Sequence, residues 1–248
     1  MKYSPYTASS LGTFNQCPRK FKYNKIDKIP VEFVMTPALI KGKIVHSFLE
    51  HDTLSLKDKI EKLKSEKLLD KELIKEGLSI YNTFRKTTFS ETLFGYKHLG
   101  SELKISLKIK DKQIVPCDYT DKDAMYRGMI DSVFVDEDTD IVYIVDWKTG
   151  KDKSTGEYRQ SPDQLMYYAT WYFNTFPVDT IKILYAFVEH EDAYLEFTLT
   201  KDRLSYYNTM LLRNIKKVET ETEFPKEESA LCDFCDYFDY CIKDTKDT

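Results

Sequence analysis

The chain has 248 residues, of which 42% are hydrophobic and 31% are charged, proportions that suit a globular protein with a buried core. Eight glycines and eight prolines exclude collagen-like and low-complexity chains, and no apolar run approaches the roughly 20 residues of a membrane span. The net charge of −4 argues weakly against a nucleic-acid partner.

The charge is unevenly distributed along the chain. Residues 17–28 contain five cations against one acid, whereas residues 215–248 contain five lysines against ten acids. The basic segment is compatible with a local phosphate-binding surface and equally with an ordinary lysine-rich surface. The N-terminus lacks an apolar signal core, so the expected location is the cytoplasm, or the host cytoplasm for a virus-encoded chain.

The N-terminal part of the chain is predicted to be mainly helical. Ser4 to Tyr23 is expected to form one short helix, capped by Ser9 or Ser10. The second half of residues 38–50 and the stretch 55–87 also have helical patterns, the latter with a spaced apolar stripe. These two helical segments are expected to form a lobe beside a sheet.

The C-terminal part of the chain alternates strand and helix signals. Strands are predicted at residues 103–109, 128–135, 141–147, 181–188 and 194–199. The acidic residues 136–140 favour a hairpin between the second and third strands. Ser161 and Pro162 are predicted to open a helix that runs to about Phe176, and residues 201–218 are predicted to form another. The order indicates a mixed α/β fold with a central sheet flanked by helices.

Asp146 and Lys148 lie at the end of an apolar strand and are expected to share one face of the sheet. The hairpin could bring Asp131 close to Asp146, and two buried carboxylates repel one another unless a cation joins them. A divalent metal with oxygen ligands is one such cation, beside which Lys148 could hold a water or a phosphate oxygen. The alternative is a simple Asp146–Lys148 ion pair with a solvated Asp131.

The five cysteines lie at positions 17, 117, 232, 235 and 241. Three fall within ten residues as C-x2-C-x5-C, a spacing that places thiolates within reach of one metal centre. An odd count in a cytosolic context disfavours a disulfide framework. Zinc and an iron–sulfur cluster both suit four thiolates, and Cys117 is interpreted as a structural or free thiol.

Six short motifs, in order along the chain, resemble those of the PD-(D/E)XK nuclease superfamily, in particular its RecB-like branch with an iron–sulfur cluster, to which the CRISPR adaptation nucleases belong. They are the segment Ser9–Phe21, the G-x-x-x-H segment Gly42–His46, the G-x-x-D segment Gly128–Asp131, the D-x-K-T-G segment Asp146–Gly150, the Q-x-x-x-Y segment Gln164–Tyr168 and the cysteine tail Cys232–Cys241. The resemblance implies a restriction-endonuclease-like fold, with a helical N-terminal lobe and a C-terminal cysteine cluster that staples the chain.

The resemblance also implies a role for each matching residue. The expected ligands of a Mg²⁺ or Mn²⁺ ion are His46, Asp131, Asp146 and the main-chain carbonyl of Trp147. Lys148 would position or activate the attacking water, and Gln164 and Tyr168 would support the site and touch DNA. Glu102, expected just before a strand, is a possible additional group near the metal. A 4Fe–4S cluster would be held by Cys17, Cys232, Cys235 and Cys241, with zinc as the alternative.

The expected function is therefore a metal-dependent DNA nuclease, in particular an exonuclease on single-stranded or frayed duplex ends. Two alternatives are an inactive nuclease fold that serves as a DNA-binding or scaffold module, and a zinc-stapled interaction protein. No Walker motif occurs, so a helicase or recombination protein would be a separate partner. One nuclease domain is expected, with a helical N-terminal segment and lobe (1–98), a core (99–218) and a cluster tail (219–248). Recombination, repair, CRISPR adaptation and viral DNA processing remain open as pathways.

Overall fold

A computed structural model of the chain describes residues 1–32, 34–50, 52–156 and 160–244. Helices precede the sheet: α1 (Ala8–Gln16), α2 (Pro18–Phe21), α3 (Pro37–Glu50), α4 (Leu56–Ser65), α5 (Lys71–Phe84) and α6 (Thr88–Gly95). The sheet and its connections follow: β1 (Lys97–Lys110), β2 (Gln113–Pro116), β3 (Tyr126–Asp136), β4 (Ile141–Lys148), α7 (Asp163–Thr175), β5 (Thr180–Phe187), β6 (Tyr194–Thr200), α8 (Leu204–Thr220) and α9 (Phe238–Asp244).

Within the described ranges, six strands form one sheet in the order β2-β1-β3-β4-β5-β6. Neighbouring strands are antiparallel except β4 and β5, which are parallel. A parallel pair needs a crossover connection, and α7 lies in that connection. This topology confirms the predicted mixed sheet flanked by helices, and it confirms the predicted hairpin at residues 136–140.

Helices cover both faces of the sheet. Alternate residues of β4 point to opposite faces and so pack into different cores. Val142 and Ile144 pack into a large core with residues of α1, α7 and α8, while Val145 and Trp147 pack into a second core with residues of α3, α5 and α6. Asp146 continues the alternation of Val142 and Ile144, so its carboxylate faces α7. Asp146 and Lys148 therefore lie at the end of a strand that is buried on both sides.

The first helical segment differs from its prediction. The structure contains two helices rather than one, because Cys17 is extended at φ −159° and precedes Pro18, a position that disfavours helical geometry. Thr7, rather than Ser9 or Ser10, caps α1. The break turns Cys17 into the cap of α2, where its Sγ accepts the Lys20 N–H at 3.5 Å.

The sheet also contains more than the predicted strands. The edge strand β2 was not predicted, since its four residues are too few to give a periodic signal. Strand β1 begins six residues earlier than predicted, so Glu102 lies inside the strand rather than before it. At Glu102 the backbone adopts φ 49°, and the pairing with β3 passes from Ser101–Ser132 to Leu103–Ile130. The prediction failed here because an irregular backbone interrupts the alternation.

The C-terminal segment packs against the N-terminal helices. The rings of Phe21 and Phe224 stack with centroids 6.3 Å apart, and the Arg19 side chain donates to the Phe224 carbonyl at 2.8 Å. Further along, Asn24 donates to the Tyr237 hydroxyl at 3.1 Å. The basic and acidic ends of the sequence are thereby neighbours in the fold. None of the helices in the described ranges is both long and apolar enough to cross a membrane.

Candidate active site

Asp131 and Asp146 come together where β3 and β4 diverge. The pairing of these strands ends at Ser132–Val145, and the next residue on each strand is one of the two aspartates. Beyond that point the Trp147 N–H donates to the side chain of the β3 residue Asp131, at Oδ2, over 2.9 Å. The carboxylate of Asp131 is thus fixed against the strand that carries Asp146.

Asp146 is held from two sides and is 2% exposed. Its Oδ1 accepts a 2.6 Å hydrogen bond from Gln164 Nε2 on α7, and its Oδ2 lies 2.5 Å from Lys148 Nζ. Oδ2 is buried and accepts no hydrogen bond, so the Lys148 ammonium meets it as an ion pair alone. A buried carboxylate oxygen that is met only by a cation is a position that a divalent cation could occupy.

His46 of α3 faces the two aspartates. Its Nδ1 lies 3.6 Å from Asp131 Oδ2, and burial lowers its pKa although the Asp146 carboxylate opposes the shift. A neutral imidazole is the form that binds metals. Burial, followed by repulsion from Asp146, raises the pKa of Asp131 to about 8. The donor set of one imidazole and two crowded carboxylates therefore fits an oxygen-preferring divalent cation.

The raised pKa of Asp131 predicts how pH affects the metal-free protein. A carboxyl whose pKa is about 8 when folded and about 4 when unfolded stabilises the fold below pH 4 and loses this contribution as pH rises through 8. We therefore expect the melting temperature in EDTA, relative to that of Asp131→Asn, to fall between pH 5 and pH 9. Scanning calorimetry of both proteins measures the difference in melting temperature. A difference that stays constant from pH 5 to pH 9 would contradict the raised pKa of Asp131.

Gln164 connects the carboxylates to α7. The same Nε2 that donates to Asp146 also donates to the Tyr168 hydroxyl at 3.0 Å, one turn along the helix. Gly128 of β3 permits this arrangement, because a β-carbon there would lie 2.7 Å from a ring carbon of Tyr168. Burial raises the pKa of Tyr168, so its hydroxyl stays protonated. The Q-x-x-x-Y and G-x-x-D segments thus meet over the site.

Tyr168→Phe tests the support that the hydroxyl gives to Gln164. One net hydrogen bond contributes about 1 kcal/mol, so we expect catalytic turnover to fall about fivefold with little change in melting temperature. Tyr172→Phe is the matched control on the same helix, since its hydroxyl makes no hydrogen bond within the described part of the chain. Equal rates for the two variants would exclude the proposed support.

Two clefts flank the site. A cleft of about 830 Å³ is lined by His46, Asp131 and Thr149, and also by Glu50 and Glu102. A second, of about 500 Å³, is lined by Gln164 and Tyr168 and by Arg127 and Tyr119. Met129 lines both clefts, and Asp131 lines the larger one.

Glu50 is the residue of this region that sequence reasoning missed. Burial, followed by repulsion from Glu102 and Asp131, raises the pKa of Glu50 to about 8. Its position one turn after His46 on α3 was the available signal. Glu102 itself reaches the same cleft, brought there by the irregular backbone of β1.

Four cysteines line a separate cavity of about 290 Å³ between α2 and the C-terminal segment: Cys17, Cys232, Cys235 and Cys241. Burial, and then the proximity of Cys17, raises the pKa of the Cys241 thiol. The Ser229 N–H donates to Cys232 Sγ at 3.5 Å. The main-chain N–H of Lys20 donates to Cys17 Sγ at the same distance. Cys117 lies elsewhere and donates to Ser106 Oγ at 3.2 Å.

Neither the carboxylate site nor the cysteine cavity has its side chains arranged as a complete set of metal ligands in the described residues. Across residues 1–32, 34–50, 52–156 and 160–244, no group of three or more His, Cys, Asp or Glu side chains is arranged so that it could hold a metal ion directly. Metal binding would therefore require the side chains to close around the ion. At the carboxylate centre such a closure is supported by Asp146 Oδ2, which is buried and accepts no hydrogen bond.

Comparison with known proteins places the chain among nucleases. The family model of the PD-(D/E)XK nuclease superfamily matches residues 5–242. The crystal structure of a Eubacterium rectale protein named "Putative exonuclease" is similar with a TM-score of 0.54 and 16% identity, over 92% of this chain and 86% of that one. The structure of SSO0001 matches with a TM-score of 0.37 and 9% identity, over 92% and 82% of the two chains. The chain matches none of the curated proteins with which it was compared.

Proposed function

This chain belongs to the PD-(D/E)XK nuclease superfamily, and from that premise we propose that it is a Mg²⁺- or Mn²⁺-dependent deoxyribonuclease acting as an exonuclease on single-stranded or frayed DNA ends. The observation that carries the proposal is the buried Asp146 Oδ2, which lies beside Asp131 and is paired with Lys148 but accepts no hydrogen bond. An inactive scaffold would have no need to keep two crowded carboxylates and a lysine at the end of a buried strand.

The metal would be held by His46, Asp131, Asp146 and the main-chain carbonyl of Trp147. When bound, the ion supplies polarisation of the scissile phosphate and lowers the pKa of a coordinated water. The chain's own contribution is positional: Gln164 holds the Asp146 carboxylate, and the Trp147 N–H holds the Asp131 carboxylate. Both ligands are thereby oriented before substrate arrives.

Lys148 would hold the attacking water or a phosphate oxygen. Its Nζ lies 2.5 Å from Asp146 and 5.3 Å from the centre of the Tyr185 ring, which keeps the ammonium over the end of β4. A fixed cation near the phosphate stabilises the charge that grows as water attacks phosphorus and the phosphodiester oxygen leaves. Asp146, by holding the metal, and Lys148, by its own charge, would thus act at neighbouring positions beside the same phosphate.

The two clefts support a single-stranded substrate, because residues of the candidate site line each of them and Met129 lines both. Arg127 and Tyr119 in one cleft, with the guanidinium 5.4 Å from the ring centre, offer a cation and an aromatic face to a DNA strand. The exonuclease mode agrees with the name of the Eubacterium rectale protein. A helicase or recombination protein that opens duplex ends would be a separate partner, in recombination, repair, CRISPR adaptation or viral DNA processing.

The second centre would carry a 4Fe–4S cluster on Cys17, Cys232, Cys235 and Cys241, as in the RecB-like branch. The four residues line one cavity, and main-chain N–H groups approach two of the sulfurs, which favours thiolates. Zinc is the competing occupant. In either case the centre would join the N-terminal segment (1–98) to the tail (219–248) around the core (99–218), so that the chain acts as one nuclease domain.

Digestion of end-labelled DNA tests the proposed mode. We expect linear single strands and frayed duplexes to be shortened progressively from the end, while circular single strands of the same sequence remain intact. Label at the 5′ end and at the 3′ end, compared in separate reactions, gives the polarity. Internal cutting of the circular strand at the same rate would replace the exonuclease with an endonuclease. Binding of DNA without any cutting would favour the scaffold alternative.

A further inference from the structure

The loop that follows Lys148 is held by the turn after β5. The Gly150 N–H donates to Glu189 Oε1 at 2.7 Å, and His190 Nε2 lies 2.7 Å from the Gly150 carbonyl oxygen. Because a carbonyl can only accept, Nε2 carries the proton in this contact. The Val188 N–H also donates to the Lys148 carbonyl at 3.0 Å. Residues 188–190 thus hold the main chain on both sides of Thr149.

Glu189 also connects this loop to the helix that carries His46. Its other oxygen, Oε2, lies 3.1 Å from Lys41 Nζ on α3, and Lys41 reaches Glu76 of α5 at 3.2 Å. The Lys41 and Glu189 side chains are only 19% and 21% exposed, so solvent screens their pairing little. Burial acts to lower the pKa of Lys41, but the two carboxylates outweigh it and raise the pKa.

The helix and the loop are also in close contact at Gly42. A β-carbon at this position would lie 3.1 Å from Thr149 Oγ1, so a larger residue would require the Thr149 side chain to shift by a few tenths of an ångström. One continuous set of contacts therefore runs from α3 through Glu189 to Gly150. One end of this set is Gly42, four residues before His46. The other end is Gly150, two residues after Lys148.

We propose that Glu189 and His190 form a positioning clamp that sets the place of Lys148 relative to His46 and the two aspartates. The proposal deepens the nuclease function and rests on it. Glu189 and His190 do not line either of the two clefts, and both contact the main chain of Gly150. Lysine has a long, flexible stem, and a shift of about 1 Å at a reacting group can cost about 100-fold in rate.

Steady-state cleavage by Glu189→Ala, in the full chain, tests the clamp. We expect kcat to fall by about 10- to 100-fold while KM for single-stranded DNA is unchanged. Glu189→Gln keeps an oxygen that accepts the Gly150 N–H but loses the oxygen that pairs with Lys41, so it should recover part of kcat. Glu196→Ala is the matched control, since its ion pair with Lys182 has the same 3.1 Å length on β5 and β6 but no link to the loop.

Amide hydrogen exchange separates the clamp from the nuclease function. The Gly150 amide should exchange faster in Glu189→Ala than in the wild type and in Glu196→Ala, whether or not the protein cuts DNA. An unchanged kcat, a change confined to KM, or a Glu189→Gln rate as low as that of Glu189→Ala would overturn the clamp. A wild-type protein that cuts no DNA would contradict the proposed function, and Gly150 exchange alone would then decide whether the clamp exists.

Discussion

Asp146→Asn should reduce DNA cleavage at least about 1,000-fold while the protein remains folded. A bound divalent cation supplies several kcal/mol of transition-state stabilisation, and each 1.36 kcal/mol is a factor of about ten in rate. Asparagine keeps an oxygen that can accept the hydrogen bond from Gln164 Nε2, so the packing around α7 is preserved. It loses the negative charge that would hold the ion and that pairs with Lys148.

The same substitution should change the melting temperature of the metal-free protein little, because the lost repulsion of Asp131 and the lost attraction to Lys148 oppose one another. Asp140→Asn is the matched control at the opposite end of the same hairpin. Residue 140 has φ 54°, a conformation that asparagine adopts as readily as aspartate. If Asp146→Asn kept more than about a tenth of the wild-type rate, the assignment of Asp146 as a ligand would be wrong.

Cys232→Ala should have the largest effect on stability. Cys17 and Cys232 are 215 positions apart (232 − 17), and a chain-entropy model gives about 5 kcal/mol for one crosslink that closes such a loop. Whole domains have about 5–15 kcal/mol of stability. For a chain of this size we expect the melting temperature to fall by about 10–20 °C, with loss of bound iron and sulfide.

The contacts between Phe21 and Phe224 and between Asn24 and Tyr237 remain in the Cys232 variant, so the sheet should persist at low temperature. Cys117→Ala is the control, because its sulfur donates to Ser106 and lies outside the cysteine cavity. Anaerobically purified wild-type protein should be brown. Colourless protein with one zinc ion would exclude the cluster, and an unchanged melting temperature for Cys232→Ala would contradict the staple.

The hairpin and its carboxylates could be predicted because their signals are local. The acidic turn at residues 136–140 fixes the register of β3 and β4, and that register places Asp131 opposite Asp146. Alternation along β4 likewise predicts that Asp146 and Lys148 share a face, as their 2.5 Å contact requires. The resemblance of short motifs added His46 and Gln164, which come from distant helices.

Other features depend on contacts that no local pattern records. Glu189 and His190 meet Gly150 across 39 and 40 residues, and neither belongs to a recognisable motif. Glu50 becomes part of the site only because α3 packs beside the irregular backbone at Glu102. The helix break at Cys17 differs from the prediction because Pro18 disfavours helical geometry at the residue before it, although the surrounding sequence has a helical pattern.

The most direct measurement is the rate at which purified wild-type protein releases nucleotides from end-labelled single-stranded DNA as Mg²⁺ is titrated in and then removed with EDTA. The account predicts no release without metal, a saturable rise with Mg²⁺ or Mn²⁺, and full loss on chelation. Chelation should leave the fold intact, since the carboxylate centre lies on a sheet that is buried independently of the ion. Undiminished cleavage in EDTA, or no cleavage with either metal, would contradict the proposal that the protein is a metal-dependent nuclease.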